Sequence, residues 1–160
     1  MRAFVPAALA AAVLLLVPPA VAAGLDGTWV LERQVYGEGE HNFARADRPF
    51  RLSFRRAPAG LSARAEREGA GAPWPCWFSP EGPVAVEDVR VVPAPDGRGV
   101  TAAYRVPPAP GDDTWLVVTE WYRVTDDDRL EGEVHVRFER RGVLRGGFTW
   151  RRTFRREAGR

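Results

Sequence analysis

The chain has 160 residues, with 23 basic and 21 acidic side chains, six tryptophans and a single cysteine. A formal net charge of +2 argues against a dedicated polyanion binder, and a lone Cys76 excludes a disulfide within the chain. A hydrophobic fraction of 45% with 11% aromatic residues is enough for a packed core and excludes a disordered chain.

Residues 1–23 have the form of a secretory signal peptide: Arg2, an apolar run through Val17, and small residues at Ala20-Val21-Ala22 or Val21-Ala22-Ala23 for cleavage. The expectation is an exported protein, periplasmic or extracellular, with no membrane span after cleavage. Residues 24–160 then form one β-barrel domain.

Beyond Gly24 the chain repeats short β-rich runs closed by Gly, Pro or Asp breakers. The runs are 27–36, 49–56, 61–68, 73–79, 84–92, 99–106, 114–125, 129–139 and 143–156. Phe50, Leu52 and Phe54 share one face against Arg51, Ser53 and Arg55. Leu130, Val134, Val136 and Phe138 oppose Glu131, Glu133, His135, Arg137 and Glu139. This period-two alternation predicts strands with one buried face. Gly132 and Gly146-Gly147 fit bulges or sharp bends. The expected fold is all-β: an antiparallel up-and-down barrel of about 8–9 strands, with a β-sandwich as the alternative.

The run 114–125 departs from simple alternation. Leu116, Val118, Tyr122 and Val124 take one face, while Trp115, Val117 and Trp121 take the other. Such a strand is covered on both sides, either by a loop or the 37–48 segment folding over it or by a homodimer face through Trp115 and Trp121. Charge is also segregated, with 12 acidic residues and 5 Arg over 81–133 against 9 Arg and 2 Glu over 137–160. Pairing of opposite signs across neighbouring strands accounts for this; a basic face for an anionic partner is the alternative, with nucleic acid disfavoured by the balanced charge.

Leu25-Asp26-Gly27-Thr28-Trp29-Val30-Leu31 resembles the Gly-x-Trp opening of the first strand in the calycin superfamily of lipocalins, fatty-acid-binding proteins and avidins. The resemblance implies a barrel whose Trp29 closes one end. It also implies an Arg near the last strand packed on that Trp, a role that falls to Arg152. The lipocalin Thr-Asp-Tyr motif and the avidin biotin contacts are absent, so no particular ligand is implied.

Placing the apolar faces inward carries charges inside. Arg33 continues the Trp29, Leu31 and Val35 face, Arg67 follows Leu61, Ala63 and Ala65, and Glu120 sits between Val118 and Tyr122. Arg152 lies on the Phe148, Trp150 and Phe154 face. Buried charges are costly unless paired, so they mark ion pairs or sites. Arg33, Glu120, Tyr122 and Arg152 are therefore the candidate ligand-binding residues, suited to a small amphiphile that could carry a carboxylate. A filled structural or protein-interaction module is the alternative, and a sugar-stacking platform of Trp74, Trp77, Trp115 and Trp121 is a lesser one.

Catalytic patterns are missing. There is no Gly-x-Ser-x-Gly elbow, no His-Glu-x-x-His and no phosphate-cradling glycine loop. His41 and His135 are the only histidines, and no motif joins Cys76 to His135 as a nucleophilic pair. Glu131, Glu133 and His135 read as a solvated ladder more than a metal site, so neither a metal nor a cofactor is expected.

Overall fold

Every regular element among the described residues is a strand, because their apolar side chains recur at period two and breakers interrupt them before a helix could form. The computed structural model describes residues 24–37, 39–40 and 50–159; the signal peptide expected over 1–23 lies outside them. The strands are β1 (Gly27–Tyr36), β2 (Gly39–Glu40), β3 (Arg51–Ala57), β4 (Gly60–Arg67), β5 (Ala70–Pro73), β6 (Trp77–Ser79), β7 (Gly82–Val84), β8 (Glu87–Pro93), β9 (Gly99–Val106), β10 (Thr114–Val124), β11 (Arg129–Arg140) and β12 (Val143–Arg156).

The main sheet runs β5-β4-β3-β1-β12-β11-β10-β9-β8, with every pairing antiparallel and β2 added beside β1. First and last strands are neighbours, as in an up-and-down barrel, and the sheet is strongly curled into a half-barrel. It is one continuous sheet instead of the two stacked layers of a sandwich. Among the described residues the ladder is open between β5 and β8, and the β6–β7 hairpin sits in the chain between those two edges.

The concave face holds the core: Trp29, Leu52, Phe54, Val118, Tyr122, Leu130, Val134, Val136 and Phe154 are all buried. Trp77 and Phe78 from the hairpin pack against it. Trp77 stacks on Trp150 at 5.8 Å and Phe78 meets Phe50 edge-on at 5.9 Å. The hairpin thus caps the hollow that the curled sheet leaves.

Three local expectations change. The expected 73–79 strand is split at Trp74-Pro75-Cys76, which turns the chain into the hairpin; 84–92 divides into β7 and β8. Gly69–Ala72, expected as a breaker, contributes to β5. Small side chains there do not prevent pairing, since the ladder to β4 is made by backbone alone. Gly146-Gly147 does form a bulge, with the register shifting opposite Arg137 and Phe138.

Opposite charges pair across the outer surface. Arg151 meets Glu133 at 3.2 Å, and Arg140 meets Asp113 at 2.5 Å. Such exposed pairs add little stability, but they account for the segregated charge within the chain itself. On β10, Trp115 is half-buried under the Arg105 guanidinium at 4.4 Å, while Trp121 stays 37% exposed. Of the 37–48 segment expected to cover this face, β2 pairs with β1, and 41–49 lie outside the described residues. No helix among the described residues is long and apolar enough to cross a membrane.

Candidate functional site

One row of residues across four adjacent strands builds the centre of the molecule. In register, Tyr122 of β10 faces Gly132 of β11, Gly132 faces Arg152 of β12, and Arg152 faces Gln34 of β1. Side chains along such a row stand on the same face, here the concave one. Gly132 is the position that makes room. A Cβ there would lie 2.5 Å from Tyr122 Cε1 and 2.7 Å from the Trp121 carbonyl oxygen. Gly132 therefore serves close packing of the Tyr122 ring, in place of the bulge or bend expected for it.

The network is continuous. Arg152 Nε donates to Gln34 Oε1 at 2.8 Å and Arg152 Nη1 donates to Tyr122 Oη at 3.0 Å. Tyr122 Oη in turn donates to Glu120 Oε2 at 2.8 Å. Glu120, only 3% exposed, thus answers Arg152 through a tyrosine hydroxyl. The guanidinium also lies over the Phe50 ring at 5.1 Å and the Trp150 ring at 5.4 Å.

Burial dominates the protonation of these groups. It pushes the Glu120 carboxyl up from its ordinary value; Arg152 and the Tyr122, Tyr104 and Trp74 donors oppose this without cancelling it. Burial and then the Glu120 charge raise the Tyr104 and Tyr122 hydroxyls above an ordinary phenol, so both remain proton donors. Burial opposes the Arg152 charge, but Tyr122 and Glu120 outweigh it and the guanidinium is held more firmly protonated.

Above this cluster lies a cavity of about 360 Å³. Its apolar wall is Leu31, Phe50, Trp77, Phe78, Val134 and Trp150; Gln34, Tyr104, Glu120 and Arg152 supply polar groups, and Arg67 and Glu68 lie at its edge. Of the expected site residues, Glu120 and Arg152 line the cavity directly, while Tyr122 sits behind them as the bridge. Arg67 reaches the cavity but is exposed.

Arg33 is a correction. Glu32 is an extra residue in β1, since Leu31 faces Phe154 and the next pair is Arg33 with Thr153. This bulge reverses the alternation, turning Arg33 to the exposed side and burying Gln34 to 6% exposure. Gln34 was missed because period-two reading cannot see a one-residue insertion in the ladder.

The Trp29 plug is the second correction. Trp29 is fully buried and its indole N–H donates to the Leu25 carbonyl at 2.9 Å. The cation over its ring is Arg156, at 4.1 Å, and not Arg152. Arg156 is the strand partner of Trp29, whereas Arg152 is four residues along β12. Arg156 also donates to the Gly24 carbonyl at 2.9 Å and grips Asp128 through Nε and Nη2. The signal was in the sequence, since Arg156 lies on the same face as Phe154. Gly27 permits this clamp: its φ of 126° suits glycine, and a Cβ would lie 2.7 Å from Arg156 Nη1.

Cys76 lines the cavity as a free thiol, and burial followed by the nearby Glu120 charge pushes its pKa up to about 11. Against the ordinary 9.0, its thiolate fraction near neutral pH falls about a hundredfold. The higher-pKa thiolate is the better nucleophile, so reaction with a disulfide reagent at pH 8 should be slower by about tenfold or more than in the urea-unfolded chain. Equal rates in the two states would contradict it. Because the fold favours the neutral thiol, the stability it adds is full below pH 9 and is lost as pH rises toward 11. His135 does not approach it as a partner; it bonds Glu133 at 2.6 Å and Thr149 at 3.0 Å on the outer surface. Among the described residues no group of three His, Cys, Asp or Glu is placed to hold a metal ion.

Fold and site together define an all-β class: a curled antiparallel sheet whose first and last strands adjoin, around a cavity with both aromatic and polar lining. Among solved structures the chain is similar to the REP1-NXSQ fatty acid transporter, at 11% identity over 85% of this chain and 98% of that one, with a TM-score of 0.36. It is similar also to a Tyr-to-Phe mutant of that transporter, at 12% identity over 83% and 98%, with a TM-score of 0.35. No protein-family model and no curated protein matches the chain.

Proposed function

We propose that the protein is an exported, non-enzymatic carrier that holds one small amphiphile in the cavity beneath the β6–β7 hairpin. The observation that supports this most is the cavity itself. Its volume of about 360 Å³ falls within the range of small-molecule sites, and its lining joins aromatic and aliphatic side chains with the Gln34–Arg152–Glu120 cluster. That combination suits a ligand with an apolar body and one polar head. The aromatic wall would bury the body, and Arg152, Glu120 and Tyr104 would meet the head.

The hollow also separates this reading from that of a filled interaction module, which needs side chains packed throughout. Export follows from residues 1–23, and a dimer through Trp121 and Trp115 would leave the cavity unaffected, since both lie on the outer face of β10.

Calorimetric titration with medium-chain amphiphiles tests the reading. One-to-one binding is expected. Trp77→Ala removes the indole stacked on Trp150 and should weaken binding about tenfold or more. Arg33→Met, on the exposed side of β1, should leave it unchanged. Absence of binding by any amphiphile would sink the proposal, as would a greater loss from Arg33→Met than from Trp77→Ala.

A further inference from the structure

The hairpin between β11 and β12 runs past the rest of the sheet. Arg141 and Gly142 form its two-residue turn, both with positive φ, and Arg140 pairs directly with Val143. β1 ends opposite Trp150, so from Val143 to Thr149 the only strand beside β12 is β11, among the described residues. Residues 140–147 are all exposed. Val143 and Leu144 are 51% and 49% exposed, and as chain neighbours they stand on opposite faces of the ladder. The described residues therefore cover neither face of this tip.

Charge is concentrated at the same place. Arg137, Arg140, Arg141 and Arg145 share the hairpin end with one acid, Glu139, which Arg105 of β9 already holds at 2.5 Å. In the adjoining loop, Asp113 answers both Arg140 and Arg141, at 2.5 and 3.8 Å, while Asp112 accepts the Asp113 and Thr114 amides. Arg137 and Arg145 make no ion pair among the described residues. By register Arg145 shares the concave face with Val143, and Arg137 shares the outer face with Leu144. Each face thus presents one bare aliphatic side chain and one unpaired guanidinium.

That pairing of chemistries decides the partner. A soluble polyanion would satisfy the arginines and leave Val143 and Leu144 in water. An apolar protein groove would take the aliphatics and strand the arginines. The boundary of an anionic bilayer answers both, with acyl chains for the aliphatics and phosphate oxygens for the guanidinium forks. We propose that the β11–β12 tip docks the protein on an anionic lipid surface. A run of rings leads from the tip to the cavity wall: Phe138 to Phe148 at 5.8 Å, Phe148 to Trp150 at 4.8 Å, and Trp150 to Trp77 at 5.8 Å. Docking itself needs no cargo and does not depend on the carrier reading.

Co-sedimentation with vesicles in about 0.1 M salt tests this, using phosphatidylcholine alone and phosphatidylcholine with about one-third phosphatidylglycerol. The wild-type chain should partition at least about tenfold more strongly to the anionic vesicles. Arg137→Gln with Arg145→Gln should weaken that binding about tenfold or more, and Val143→Ser with Leu144→Ser about fivefold or more. All four positions are exposed, so the fold is retained. Arg151→Gln with Arg155→Gln removes the same charge farther along the outer face of β12 and should change binding by less than about threefold. All proteins are purified in one form, so residues 1–23 contribute equally. Equal binding to the two kinds of vesicle would overturn the proposal. So would a loss from the Arg151 and Arg155 pair matching that from Arg137 and Arg145, or full binding after Val143→Ser with Leu144→Ser. A dimer in lipid-free solution that this last variant dissolves would overturn it in favour of a second copy of the chain.

Discussion

Trp29→Ala should cost the protein about 3–5 kcal/mol and lower its thermal midpoint by roughly 10–20 °C. The indole is fully buried at the end of the half-barrel, so truncation opens a cavity lined by neighbouring side chains that cannot all collapse into it. Two further losses add to this. The Leu25 carbonyl loses its indole donor, and Arg156 loses the ring under its guanidinium. Set against a typical total of 5–15 kcal/mol, the change leaves a marginal protein. Arg156→Gln should cost less, about 1–3 kcal/mol, because the ring remains in place while the clamp on Gly24 and Asp128 is lost. Urea unfolding monitored by circular dichroism measures both. A Trp29→Ala cost below about 1 kcal/mol would show that this end of the sheet is not held by the plug.

The second large effect concerns the buried charges. Arg152→Met removes the charge that most opposes the burial of the Glu120 carboxylate, and should destabilise the protein by about 3–5 kcal/mol. Glu120→Gln alone should cost a comparable amount, since Arg152 then keeps its charge with no anion to answer it. The double variant, with both charges removed, should recover much of the loss, because a neutral Gln–Met pair carries no uncompensated ion. Urea midpoints of the four proteins form the cycle. Strict additivity would mean that Tyr122 does not couple the two charges, and the network would then be three independent contacts.

These two clusters also show what was legible beforehand. Alternation over β3, β10, β11 and β12 identified the buried faces correctly, and with them Glu120, Tyr122 and Arg152 as inward residues. Pattern reading failed where the ladder slips. The extra residue Glu32 exchanges Arg33 for Gln34, and nothing in the local sequence marks it, because a bulge is set by pairing with β12. The plug was assigned to the wrong arginine for a related reason. Arg152 and Arg156 lie on one face, and only the register of β1 against β12 says which meets Trp29. The Trp74-Pro75-Cys76 turn was hidden by its apolar composition, which resembles a strand interior.

What the sequence by itself determined is the strand class and the choice of buried face, since both follow from side-chain periodicity along a single segment. The position of the charges relative to one another, the hairpin over the hollow and the hollow itself were decided only by tertiary structure. They depend on which strands neighbour each other and on one-residue shifts between them. Such shifts turn side chains to the opposite face without any mark in the sequence of the strand that carries them.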